Sequence, residues 1–155
     1  MSGSPASKPL RLLLGFDYGS KQIGVAVDTP DGLVVPVIRD ADRKGVFDLA
    51  RELGEVSKLA KDKKLKPGDM QGGTFTISNL GMFGIKNFQA VINPPHATIL
   101  AVGAGEERVY VDKGQIKTGN FMTVTLSCDH RAVDGALGAE LLAAFKSLIE
   151  TPVMM

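Results

Sequence analysis

Cysteine and histidine are scarce in this chain: among 155 residues there are one cysteine, Cys128, and two histidines, His96 and His130. A lone cysteine excludes an internal disulfide, and so few Cys and His residues cannot assemble the four-ligand site of a structural zinc. Excess charge is also missing. A formal net charge of +1 at pH 7 supplies no general attraction to nucleic acid or to an anionic membrane. No apolar run approaches the roughly 20 residues that a membrane span requires. The opening "MSGSPASKPL" is polar and lacks the apolar core of a signal peptide. Together these absences lead to the expectation of a soluble, cytoplasmic protein, with length for one domain and one sizeable core.

What is present alternates between strand and helix patterns. Residues 1–10 form a polar leader, after which "RLLLGFD" and "QIGVAVD" have the β-branched and large apolar composition of strands, with "YGSK" as the turn between them. "TPDG" punctuates next, because Pro30 fixes φ and Gly32 accepts positive φ, so "LVVPVI" is expected to return antiparallel to the preceding strand. Pro36 has no N–H to give a ladder and places that strand at an edge or a bulge. From Gly45 to Lys64 the period becomes helical: Val46, Leu49, Ala50, Leu53, Val56 and Ala60 share one face, opposite Arg51, Glu52, Glu55 and Lys58. The helix ends in "KDKKLKPGD", whose lysines suit a helix C-terminus and read as a solvated end, with a phosphate contact as the competing reading.

A strand is expected over Thr74–Ser78, followed by a long loop, "MFGIKNFQAVINPPH", too apolar to stand uncovered. Three further strands, "ATILAVGAG", "ERVYVDKGQIKTG" and "NFMTVTLSCD", are expected with "DKG" as a hairpin turn. The last element, Gly135 to Glu150, is apolar around most of its circumference and reads as a helix buried in the core or between subunits. The fold class is therefore α/β, an antiparallel-rich mixed sheet with two main helices.

Chemistry concentrates in "SCDHRAVDG", Ser127 to Gly135. His130 stands just past a strand with Asp129, Arg131 and Asp134 nearby, and a histidine with an unperturbed pKa of about 6.5 suits a general base at neutral pH. The plain alternative is a structural histidine beside an Asp–Arg pair. Cys128, at a strand end with no assured cationic neighbour, reads as inert. "GAGEE" lacks the full glycine fingerprint of a phosphate loop, and His96 in "NPPHA" reads as structural.

Three segments, "IGVAVDTPDGLVVPVIRDADRKG", "QGGTFTISNLGMFGIKNFQAVINPPHATILAVGAGE" and "LSCDHRAVDGALGAELLAAFKSLIE", closely resemble the catalytic domain of the dihydrolipoamide acyltransferases of 2-oxo-acid dehydrogenase complexes, from about residue 23 to the C-terminus. "DHRAVDG" resembles that family's active-site signature. The resemblance implies a fold like that of chloramphenicol acetyltransferase, here partial, and trimers or higher oligomers with active sites between subunits. It also implies acetyl transfer between lipoamide and coenzyme A as substrates, with a lipoyl domain as partner and no metal. By the same resemblance His130 is the base that removes a thiol proton, Ser78 in "TISNLG" donates to the oxyanion, and Asp134 organises the histidine turn. Ser78 and His130 of one site then belong to different subunits. The family's N-terminal arm does not precede "IGVAVDTPDG", which puts coenzyme A binding and activity in question.

"MSGSPASKPLRLLLGFDYGSKQIGVAV" instead resembles the start of the RNase-H-like Holliday-junction resolvase or pre-16S rRNA nuclease family, whose aspartate at the position of Asp17 helps bind magnesium. One aspartate does not make a two-metal site, so Asp17 reads as a relic or turn residue. "IGVAV" suits both families, and the expectation is a chimera: leader 1–10, nuclease-like hairpin 11–27 and acyltransferase portion 23–155. An inactive folding chimera and a nuclease are the competing functions.

Overall fold

The computed structural model describes residues 22–151. The expected strand "RLLLGFD", the "YGSK" turn and Asp17 lie outside the described residues.

Among the described residues, seven strands and two α-helices follow in the order β1 (Gln22–Val25), β2 (Val27–Thr29), β3 (Gly32–Val34), β4 (Val37–Arg39), α1 (Val46–Lys61), β5 (Phe75–Asn79), β6 (Thr98–Asp112), β7 (Gln115–Cys128) and α2 (Gly135–Glu150). Five of the strands form one sheet in the order β4-β1-β5-β6-β7, and β2 and β3 make a separate two-stranded ribbon. The β1–β5 and β5–β6 ladders are parallel, while β4–β1 and the long β6–β7 ladder are antiparallel. Most of the pairing is thus antiparallel within a mixed sheet.

The hairpin around "TPDG" forms as expected but bends. The chain leaves one ladder and joins another at Ala26 on one side and at Val35–Pro36 on the other, so β2 pairs with β3 and β1 with β4. Pro36 lies at the bend, buried, where its carbonyl accepts the Val25 N–H at 2.9 Å and its missing N–H costs no ladder bond. β4, at three residues, is one edge of the sheet among the described residues.

The three strands expected between Ala97 and Asp129 are two. The "GAG" glycines do not end a strand: the β6–β7 register shifts between Val102 and Gly105, a bulge that bends the ladder and lets pairing resume. Lys113 and Gly114 turn the hairpin with positive φ, 50° and 78°, the geometry that favours glycine in a two-residue turn. β5 pairs with β6 only as far as Asn79 and Val102. Beyond that point β6 and β7 continue as a ribbon with no third strand among the described residues, where Tyr110 packs edge-on against Phe121 at 5.3 Å.

The core is small and sits where β4, β1, β5 and β6 meet: Val37, Ile38, Ile99, Leu100 and Ala101 are buried, with Thr76 fully so. His96 is buried against it. Its Nδ1 is 2.5 Å from Thr76 Oγ1, and the ring fills space above Gly24 and Gly73, where any side chain would meet it. α1 leans on β2 and β4, yet only Ala60 of its apolar stripe is buried and Phe47 is 92% exposed. α2, expected to be buried in the core or between subunits, packs mainly on β7, with Gly138 its one buried residue within the single chain. The lysine-rich end of α1 is partly neutralised: Lys63 Nζ lies 2.5 Å from Asp31 Oδ2 in the "TPDG" turn.

Candidate active site

The "SCDHRAVDG" segment forms a tight connection between β7 and α2. β7 ends at Cys128, level with Thr98. One step further the Asp129 N–H donates to the Ala97 carbonyl at 2.8 Å, and the Asp129 carbonyl accepts from the N–H groups of Ala132 (2.9 Å) and Val133 (3.0 Å). Val133 is buried and anchors the turn from below. Asp134 then caps α2: its Oδ1 accepts the Leu137 N–H at 2.8 Å, satisfying one of the donors a helix N-terminus leaves open. His130 is exposed at the apex of this turn.

An open cleft of about 320 Å³ separates β7 from α2 at this point. His130, Cys128 and Asp134 line it together with Leu126, Val133, Ala139 and Leu142. Gly138 sets its depth, since a Cβ there would stand 3.6 Å from Cys128 Sγ and 3.7 Å from Leu126 Cδ2. Burial pushes the Cys128 thiol up, the setting of an unreactive wall. Asp129 and Arg131 form the pair that the sequence suggested, with Nε to Oδ1 at 2.9 Å and Nη2 to Oδ2 at 2.6 Å.

Ser78 is elsewhere. It lies on β5, half-buried, level with Ala101, which is level with Thr125 of β7. Three residues of strand, about 10 Å, and two ladder spacings, roughly another 10 Å, separate that position from the end of β7. Face matters as much as distance. Residues opposite one another in a ladder share a face and successive residues alternate. Cys128, Leu126 and, through Leu100, Ile77 face α2 and the cleft, so Ser78 faces the other side. The structure therefore brings His130 and Asp134 together on one cleft and leaves Ser78 on the opposite surface of the same chain.

The cleft's second wall is a feature that the sequence reading missed. Gly138, a glycine inside an otherwise strong helical pattern, lies on that wall over Cys128 and Leu126 at ordinary contact distances. Among the described residues no group of three His, Cys, Asp or Glu side chains is placed to hold a metal ion, and no helix is long and apolar enough to cross a membrane.

In this mixed sheet the last long strand delivers a histidine to the capped start of an apolar helix. Residues 17–155 match the family model described as 2-oxoacid dehydrogenases acyltransferase (catalytic domain), and the chain belongs to that family. Among its relatives, the dihydrolipoyllysine-residue acetyltransferase component of the pyruvate dehydrogenase complex of Rhizobium meliloti is 58% identical over 133 residues, 86% of this chain and 30% of the relative. The mitochondrial component 2 of Arabidopsis thaliana is 56% identical over 141 residues, 89% of this chain and 26% of the relative.

Among solved structures, the dihydrolipoamide acetyltransferase of Azotobacter vinelandii aligns with a TM-score of 0.81 at 40% identity. It was determined to investigate the role of a serine, a histidine and an asparagine in the catalytic mechanism, and the alignment covers 84% of this chain and 54% of that one. The cubic core of a pyruvate dehydrogenase multienzyme complex aligns at 0.79 with 40% identity, over 82% of this chain and 52% of that one. This chain thus spans about a third of the curated relatives and about half of the solved chains. The family match begins at Asp17 and includes "IGVAV". It takes in residues 17–22, part of the expected nuclease-like hairpin, and the comparisons give neither a chimera nor an RNase-H-like origin any support.

Proposed function

We propose that this chain performs acetyl transfer between dihydrolipoamide and coenzyme A, with His130 as general base, Ser78 as oxyanion donor and Asp134 holding the turn. The observation that carries the proposal is spacing. The serine, histidine and asparagine studied in the Azotobacter enzyme are separated along its chain by the same intervals as Ser78, His130 and Asp134. An aspartate in place of the asparagine keeps an oxygen for the cap that Asp134 makes.

The mechanism follows from what each group can do. A thiol with a pKa of about 8.5 is mostly protonated at neutral pH, and only the thiolate attacks. His130 accepts that proton as the sulfur of coenzyme A adds to the acetyl carbon of acetyl-dihydrolipoamide. Ser78 donates a hydrogen bond to the carbonyl oxygen as negative charge forms on it. Collapse expels the dihydrolipoamide sulfur, which takes the proton back from His130, and the reverse direction exchanges the two thiols. The apolar walls of the cleft, Leu126, Val133 and Leu142, suit the aliphatic end of a thioester.

Since Ser78 and the cleft lie on opposite faces of one chain, the reaction requires Ser78 from a neighbouring copy, in a trimer or a larger assembly. A lipoyl domain is the partner that would deliver the acyl group, and the cytoplasm or an equivalent soluble compartment is the setting. Acetyl transfer from acetyl-coenzyme A to free dihydrolipoamide tests the reading. His130→Ala is expected to lower kcat by roughly 100- to 10,000-fold and Ser78→Ala by roughly 100- to 1,000-fold. Transfer that is indifferent to His130→Ala would remove the assignment.

A further inference from the structure

Five residues, 129–133, carry His130 from strand to helix, and their backbone bonds converge on one residue. The Asp129 carbonyl accepts the N–H groups of Ala132 and Val133. Its carboxylate Oδ1 accepts the N–H of Arg131 at 3.1 Å, an Asx turn that closes over His130. The Arg131 guanidinium then grips the same carboxylate from outside, through Nε and Nη2. The Asp129 side chain is 28% exposed and that of Arg131 90% exposed, so the arginine lies over the carboxylate as an outer strap.

We propose that Asp129 is a positioning residue for His130: its carboxylate and carbonyl gather the N–H groups of Arg131, Ala132 and Val133, fix the turn from which the imidazole projects, and are held in that rotamer by Arg131. The two aspartates of the signature divide the work. Asp134 fixes the start of α2 and Asp129 fixes the turn before it. Arg131 keeps the Asp129 carboxyl at about 2, so the turn is intact throughout the range in which an imidazole base operates. The energetic logic is that of placement, since a 1 Å displacement of a catalytic group can cost on the order of 100-fold in rate.

The kinetic part of the test rests on the acetyltransferase reading, and the structural part does not. Asp129→Ala, Asp129→Asn and Arg131→Gln are made in the full chain, and each is measured by amide hydrogen exchange at Arg131, Ala132 and Val133 and by acetyl-transfer kinetics. In Asp129→Ala the Arg131 amide is expected to exchange on the order of 10-fold faster, and kcat to fall on the order of 10- to 100-fold, with KM for coenzyme A within about 2-fold. Asp129→Asn retains an oxygen that accepts the Arg131 N–H, and is expected to restore both protection and most of kcat. Arg131→Gln is expected to fall between them.

The proposal is overturned if Asp129→Ala leaves exchange and kcat as they were, or if Asp129→Asn loses kcat as fully as Asp129→Ala while Arg131 stays protected. Should the wild-type chain transfer no acetyl group, the acetyltransferase reading fails on its own, and unchanged exchange in Asp129→Ala still overturns the clamp. Should Asp129→Ala not fold, the comparison of Asp129→Asn with Arg131→Gln decides: faster exchange and lower kcat in Arg131→Gln alone support the strap, and wild-type values in both variants overturn it.

Discussion

His96 and His130 show how environment divides one residue type between two tasks. His130 is held out at a turn above a cleft, whereas His96 is buried, bonded to Thr76 and walled by two glycines. Burial holds the His96 pKa below its ordinary 6.5. A base whose folded-state pKa is depressed stabilises the fold fully above its unfolded value, and that contribution is lost as pH falls below about 6.5, where only the unfolded chain readily takes the proton. The midpoint of urea unfolding is therefore expected to decline from pH 7 to pH 5, and His96→Gln to flatten that decline. Thr76→Val, which strips the imidazole of its partner, is expected to cost roughly 1–3 kcal/mol at pH 7; a midpoint equal to wild type would show the bond to be idle.

At the scale of elements, α2 is the helix whose position makes the cleft. Gly138 faces Cys128 and Leu126 with room for a methyl at ordinary contact distances. Replacing a mid-helix glycine by alanine where the space exists is expected to stabilise by about 0.5–1 kcal/mol. Gly138→Ala should therefore raise the melting temperature, and a lowered one would mean that the helix sits closer to β7 than described. The same helix is legible in the sequence from Gly135 to Glu150, because its apolar content is a local signal. The His130 segment is legible because it too is local. The strands are less so. Strand ends are expected after "GAG" and "KTG", but Gly103 lies in a bulge between Val102 and Gly105 and Gly119 lies under Tyr110 and Phe121 inside β7. The parallel neighbours β1, β5 and β6 are joined by long connections, and no local pattern announces which strands will meet. That Ser78 faces away from the cleft follows only from that pairing, since its parity is defined by the register with Ala101 and Thr125.

Among the described residues, much apolar surface of the whole molecule is open. One side of the distal β6–β7 ribbon carries Val109, Val111 and Ile116, with Ile116 79% exposed, and most of α1 and α2 is open as well. Apolar surface of this extent on a single chain marks contact with other chains, in keeping with a family that includes the cubic core of a multienzyme complex. Self-association is expected to bury it, and sedimentation of the purified chain should return a trimer or a multiple of one. A monomer at micromolar concentration would leave His130 without a serine.

If His130 of one copy works with Ser78 of another, co-expressing His130→Ala with Ser78→Ala restores acetyl transfer in the mixed assembly. Each variant alone lacks one half of every site. In mixed oligomers assorting at random, about a quarter of the sites pair an intact histidine with an intact serine from the neighbouring copy. Recovery toward a quarter of wild-type activity is the predicted result. Activity no higher than that of the separate variants, from assemblies shown to contain both chains, would contradict it.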